Sequence, residues 1–351
     1  MQFAKKEYKK ISTSYYGSFL LGGDIGGTNT TLGIFGIKRK IPSLLATFHF
    51  KSKELKELYS AINEVTDNAF QNYKIKISKC CLGVAGALSP NRDYVKVTNA
   101  NLELSKNELS EKTRLKNVLL INDFEAVGYG INMINSGDLH EIRISKRVDK
   151  APVLVIGAGT GLGKSTLIWN SNKNFYAPLP SEAHHSEFPV QDEFELGLID
   201  FIKNSRKTRQ SVCYGDLLSG EGIENIYLFL TKSKKYKPTK YTNEIIKSDS
   251  MPGLISKYRN ADRVCKETFR LFKMFYARAA RNFALDCLPL GGIYIAGGIA
   301  QKNQEIFDQK FVKIFDSSRK MSNILKRIPI YLILNTNVGL LGAGYAGNKF
   351  L

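Results

Sequence analysis

Two stretches of this chain share one hydrophobic plan. From Phe19 to Ile37, "FLLGGDIGGTNTTLGIFGI" runs apolar, turns on glycines, then alternates β-branched with other residues. "VLVIGAGTGLGKSTLIW", Val153 to Trp169, repeats the plan. Each predicts strand, turn, strand, because alternating β-branched residues suit a half-buried strand. A polar turn, "WNSNKNF", and an irregular "YAPLP" are expected to follow the second.

Elsewhere the pattern swings between periods. "KELKELYSAINEVTDNAFQNYK" and "QDEFELGLIDFIKN" read as amphipathic helices, "ISKCCLGVAG" and "NVLLIND" as strands. "FEAVGYGINMI" reads as a helix after the second of these strands. Val264, Leu271, Phe275, Ala279 and Phe283 fall on one face of a long helix spanning about 262–287. "GGIYIAGGIA" is a strand ending in Gly297 and Gly298, "RIPIYLILN" the last strand, and "VGLLGAGYAG" a helix of small residues. The alternation predicts an α/β protein with two strand-led halves.

The second Gly-rich turn contains "AGTGLGKS", a relaxed P-loop spacing with Ala158 in the first glycine position. A P-loop works because its glycines enter a helix whose first amides hold phosphate. Ser165-Thr166-Leu167-Ile168-Trp169 followed by Asn-Ser-Asn makes a poor helix. The hairpin is the better reading. Lys164 is then incidental, and any phosphate is held by the turn's backbone amides.

Composition narrows the class. A chain of 351 residues suits two domains, and 43% hydrophobic residues exclude a disordered chain. No apolar run approaches the roughly 20 residues of a membrane helix. The lysine-rich N-terminus has no apolar core of a secretory signal, and the final Lys-Phe-Leu departs from a peroxisomal tripeptide. Five cysteines without a C-x-x-C spacing read as free thiols in a reducing compartment, and the cytoplasm is expected. The net charge of +19 is mostly lysine spread along the chain, thickening locally at Lys232 to Lys240. No nucleic-acid-binding pattern accompanies it, so a solvated basic surface that attracts an anionic substrate is expected.

The first turn, Gly23-Asp24-Ile25-Gly26-Gly27-Thr28-Asn29, lets the backbone approach a phosphate and leaves amides free to donate. Asp24, at a strand end, could hold a hydrated Mg²⁺ beside the transferred phosphate. A plain hairpin turn is the alternative. The second turn, at Gly159, Thr160 and Gly161, favours phosphate, since two such turns can grip one polyphosphate. Asp123 sits where a strand meets a helix, the position of a ligand-binding carboxylate in open α/β sheets, and equally that of a helix N-cap. Asn122 can donate to and accept from a hydroxyl. Glu182, His184, His185 and Glu187 offer a metal reading, without a recognisable zinc spacing.

"DIGGTNTTLGI", "INDFEAVGYGI", "GAGTGLG", "LPSEAHHSEFP", "LLSGEGIENIY", "YIAGGIA" and "IPIYLILNTNVGLLGAGYAG" follow one another in the order of the bacterial-type glucokinase family. Over roughly residues 19–347 the chain resembles that family. The resemblance implies a two-domain sugar kinase/actin/Hsp70-like (ribonuclease H-like) fold with an interdomain cleft. Its smaller α/β domain would hold residues 1–133 and 333–351, and its larger one residues 134–332. The related repressor/open-reading-frame/kinase group usually carries a Cys-rich zinc motif that is lacking here.

The resemblance implies ATP-dependent phosphorylation of the glucose 6-hydroxyl, with Asp123 as catalytic base and Asn122 as sugar ligand. Glu182 and His185 match a Glu-x-x-His pair that hydrogen-bonds sugar hydroxyls. Gly297 and Gly298 match an adenosine motif, where a close strand–helix approach is the alternative. ATP and Mg²⁺ are the implied cofactors, a cytoplasmic homodimer the implied state and glycolysis the implied setting. Two positions depart from the family pattern. His184 stands where glycine is common. Gly215 stands where Glu is usual, so that either Asp216 or Glu221 compensates or the pocket loses a hydrogen bond worth about 1–3 kcal/mol. That departure keeps open a kinase of mannose, fructose or an amino sugar, and ADP or polyphosphate as donor. A non-catalytic sugar sensor is the rival from outside the enzymes.

Overall fold

A computed structural model describes residues 3–98, 100–232 and 236–351. The chain separates into two compact units. One holds Met1–Asp138, Leu167–Pro180 and Asn335–Leu351, the other Leu139–Thr166 and Ser181–Leu334.

The strands of the first part of the chain are β1 (Ala4–Glu7), β2 (Ser18–Ile25), β3 (Asn29–Lys38), β4 (Ile41–Lys51), β5 (Lys79–Val84), β6 (Tyr94–Lys96), β7 (Glu103–Ser105) and β8 (Asn117–Asn122). One sheet runs β1-β4-β3-β2-β5-β8, with β6 and β7 as a separate ribbon. The β2–β3 and β3–β4 pairs are antiparallel hairpins, while β2, β5 and β8 run parallel. Arg39 and Lys40 turn β3 into β4 with φ of 52° and 64°, the type I′ form that matches strand twist, without the usual glycine.

The C-terminal helix Val338–Phe350 belongs to this unit and packs against the helix Asp123–Gly130. The reason it is built from small residues is contact distance. A Cβ at Gly342 would stand 1.7 Å from the carbonyl oxygen of Ala126. Only glycine lets the two backbones meet.

The remaining strands are β9 (Leu139–Arg143), β10 (Val153–Ala158), β11 (Leu162–Asn170), β12 (Phe175–Leu179), β13 (Ile293–Ala296) and β14 (Ile330–Ile333), in the sheet order β12-β11-β10-β13-β14-β9. The second Gly-rich turn leads into β11 and not into a helix, so the P-loop spacing is coincidental. Of "YAPLP", expected to be irregular, Tyr176 to Leu179 belong to the strand Phe175–Leu179. Pro178 hid it, but β12 lies at the sheet edge, where a missing N–H costs no ladder bond.

The long helix is Arg263–Cys287, with Asp262 capping it by accepting the amides of Val264 and Cys265 at 2.8 Å each. Val264, Leu271, Phe275, Ala279 and Phe283 are buried, as their spacing requires. Its Arg278 is buried too, paired with the buried Glu195. Cys80, Cys81 and Cys265 are buried, and all five cysteines are free. Among the described residues no helix is long and apolar enough to cross a membrane. Of the lysine-rich stretch Lys232 to Lys240, residues 233–235 lie outside those described.

Candidate active site

In the first unit the C-terminal ends of β2, β5 and β8 share one edge of the sheet, the side on which α/β sheets collect ligands. β2 delivers Asp24 to that edge, and β8 delivers Asn122 and, one residue on, Asp123. Two strand spacings put the ends of β2 and β8 about 10 Å apart. Asn122, not Asp123, is the helix cap. Its side-chain oxygen accepts from the amides of Phe124 at 2.8 Å and Glu125 at 3.3 Å, and the Asn122 amide donates back to Glu125 at 3.1 Å. Asp123 is therefore the first residue of the helix, with Oδ1 accepting the Phe124 amide at 3.0 Å. The carboxylate sits half-buried at the positive end of the helix.

Asp24 is half-buried, and removal from water pushes its carboxyl up to about 6. The Gly26-Gly27-Thr28 turn beyond it is closed by the Gly26 amide donating to Asn29 O at 2.9 Å. The Ser52 hydroxyl donates to Gly26 O, and the Ser52 amide to Thr28 O at 3.0 Å, which fixes the turn from behind. Thr28 and Asn29 remain exposed at the tip.

In the second unit Gly159, Thr160 and Gly161 form the turn from β10 to β11. The Gly159 amide donates to Gly161 O at 2.8 Å, and Gly159 O accepts the Gly220 amide at 2.9 Å. Lys164 is not incidental. It pairs with Asp286 at 3.1 Å and lies 5.1 Å from the Phe283 ring centroid. With Ser181, Glu182 and Asn282, these three residues line a recess of about 510 Å³.

Glu182 precedes the 3₁₀ turn Ala183–His185, and the His185 amide returns to Glu182 O at 3.0 Å. Glu182 and His185, the two ends of the Glu-x-x-His spacing, are both exposed. His184 turns inward instead. Burial, with help from neighbouring His185, holds its imidazole below the ordinary histidine value. Among the described residues the one cluster of possible metal ligands is His184, His185 and Cys213, within 4.8 Å of one another. It does not include the Glu182 and Glu187 of the metal reading. His184 Nδ1 is already engaged by an amide, and burial pushes the Cys213 thiol up to about 11, so a metal would have to displace both a hydrogen bond and a proton.

Both residues expected to compensate for Gly215 already have partners. Asp216 is committed to Arg206 at 2.6 Å and to the Cys213 amide at 2.7 Å, and Glu221 also pairs with Arg206. The space of a side chain at 215 is filled by the His184 ring, whose Cε1 lies 2.1 Å from where a Gly215 Cβ would stand. Gly297 has φ 93°, and a Cβ there would lie 2.5 Å from Ala158 O, so it serves the close strand approach; around Gly298 nothing comes within 4 Å.

Sequence reasoning missed Arg92. It sits on the buried Glu125 and supports the helix that begins with Asp123. The Asn-x-x-Glu spacing of the capping box was a visible signal; its arginine partner in a distant loop left none.

The glucokinase family model matches residues 21–349. The chain is 33% identical to the glucokinase of Nostoc punctiforme over 93% of its own length and 98% of that protein. It is 30% identical to that of Synechocystis sp., covering 92% and 96%. Its structure superposes on the glucose complex of Balamuthia mandrillaris glucokinase with a TM-score of 0.77 and 23% identity, over 94% of this chain and 93% of that one. A Streptomyces griseus glucokinase of the ROK family, solved with glucose and AMPPNP, gives 0.61 at 18% identity, over 93% and 98%. The fold is thus that of the sugar kinases of the actin/Hsp70-like class, and the chain belongs to the glucokinase family.

Proposed function

We propose that this protein is a glucokinase, moving the γ-phosphoryl group of ATP to the 6-hydroxyl of glucose. Family membership supports the reaction class, and the placement of Asp123 supports the mechanism. A sugar hydroxyl is a weak nucleophile, and Asp123 accepts its proton as the oxygen attacks phosphorus. Asn122 carries the cap, and the helix that begins at Asp123 holds the backbone of this carboxylate still. Glu182, His185 and the Asn122 amide bind sugar hydroxyls, each of which offers one donor and two acceptors. Asp216 orders the loop behind them through Arg206.

Backbone amides of Gly23 to Asn29 and of Gly159 to Gly161 hold the polyphosphate, and the open surface at Gly298 takes the adenosine. Asp24 fits a magnesium role, because its carboxyl is under-solvated and its usual ionised form gains from a cation. Bound magnesium would balance charge on the transferred phosphate, with Asp24 holding its water shell. We place the enzyme in the cytoplasm as a homodimer feeding glycolysis.

A panel of hexoses with ATP and Mg²⁺, read as sugar phosphate formed, tests the assignment. Glucose should give the highest kcat/KM. Gly215, which adds no side chain to the pocket, favours a second hexose as the alternative, and a higher value for mannose, fructose or glucosamine would replace glucose. Absence of sugar-dependent ATP use would reject the kinase reading altogether.

A further inference from the structure

The His184 ring lies between two glycines. On one side a Cβ at Gly215 would stand 2.1 Å from its Cε1 and 2.2 Å from Nε2. On the other a Cβ at Gly161 would stand 3.0 Å from Nδ1. Gly161 is the last residue of the β10–β11 turn, and Gly215 lies in the 3₁₀ turn Tyr214–Asp216. The Leu162 amide, the first after the turn, donates to His184 Nδ1 at 3.1 Å. An acceptor Nδ1 fixes the neutral ring as the Nε2–H tautomer. His184 is itself the middle residue of the 3₁₀ turn Ala183–His185, which Glu182 precedes and His185 ends.

We infer that His184 is a positioning residue that locks the Gly159–Gly161 turn to the segment bearing Glu182 and His185. It touches neither reacting atom. It fixes the spacing of two groups of ligands, so that one hydrogen bond and one filled space serve both donor and sugar. This assignment rests on the kinase reading, in which those groups bind phosphate and hexose. The packing also explains the glycine at 215, where any side chain would evict the ring, while a Cβ at 161 would press on it tightly enough to shift it by a few tenths of an ångström.

His184→Asn, His184→Gln and His184→Ala variants test it through KM for glucose and for ATP, with kcat and melting temperature measured alongside. Asn carries its amide oxygen at the place of Nδ1, whereas Gln carries its amide at the place of Nε2 and Ala carries neither. One hydrogen bond of about 1 kcal/mol corresponds to roughly five- to tenfold in affinity. H184Q and H184A should raise both KM values together by about that factor, and H184N should stay within about twofold of wild type. Unchanged KM values in H184Q and H184A, or an H184N as impaired as H184Q, would overturn the assignment while leaving the kinase intact. A wild-type protein that phosphorylates no sugar would instead remove the reading on which it rests.

Discussion

Arg92 grips the buried carboxylate of Glu125 with both terminal guanidinium nitrogens, each 3.1 Å from Oε1. Glu125 is 3% exposed and also receives the Asn122 amide, so its charge is satisfied only while Arg92 stays. Removing one partner of a buried pair leaves an uncompensated charge, at a cost of about 3–5 kcal/mol for full burial. Arg92 is itself 40% exposed, which puts Arg92→Ala at the lower end or below. Glu125→Gln keeps the capping box and loses only the charge, so denaturant melts should show R92A as the more destabilised of the two.

Asp123→Ala should lower kcat by roughly 100- to 10,000-fold, the usual worth of a general base. Its melting temperature should hardly move, because the helix is capped one residue earlier. Asn122→Ala should do the reverse in stability, losing about 0.5–2 kcal/mol with the cap. Near-normal turnover in D123A would remove the base.

Asp24 makes stability depend on pH. Its carboxyl is raised from 3.8 to about 6 by burial, so between those values the folded protein holds a proton that the unfolded chain has released. Stability therefore falls as pH rises from about 4 through 6 and stays lower above, by an amount on the order of 2–3 kcal/mol. Asp24→Asn should melt higher than wild type at pH 7.5 and equal to it near pH 4, while losing kinase activity. Magnesium should raise the wild-type melting temperature at pH 7.5 and leave that of D24N unchanged. A D24N that melts lower at pH 7.5 would contradict the desolvation argument.

The His184–Gly215 contact predicts non-additivity. Gly215→Ala forces its methyl into the imidazole, an overpacking that costs about 1–3 kcal/mol. With His184→Ala in the same chain the methyl enters vacated space, so the double variant should be more stable than the two single losses add up to. Strict additivity in urea melts would show that the ring is not where the contact requires.

Gly297 and Gly298 should behave as opposites. Gly297→Ala is strained by φ 93° and collides with Ala158 O, and should fold poorly. Gly298→Ala has open space and should fold normally, yet raise KM for ATP where a base lies against it. An unchanged KM in G298A would move the adenosine elsewhere.

Much of the α/β pattern could be read from periodicity, because apolar runs such as Val153–Ile156 and the Val264-to-Phe283 stripe keep one period over many residues. The hairpin at Gly159 was legible for the same reason: β-branched residues after Lys164 overrule a P-loop spacing. Pro178 argues against a strand locally, and only the edge position of β12 excuses it. The I′ turn at Arg39 and Lys40 had no glycine to announce it. Around the candidate site, short-range relations such as Asn122 to Glu125 were visible, while Arg92 and Gly215 act on partners about thirty residues away, a distance over which no local spacing rule operates.

The intimate seat of Ala126 against Gly342 also fixes an order of events during synthesis. The ribosome makes the Asp123–Gly130 segment early, but the backbone that covers it is more than two hundred codons downstream. The nascent amino-terminal unit must wait with that flank bare, and the carboxylate assigned to proton abstraction acquires its rigid mount only after those further codons have been translated.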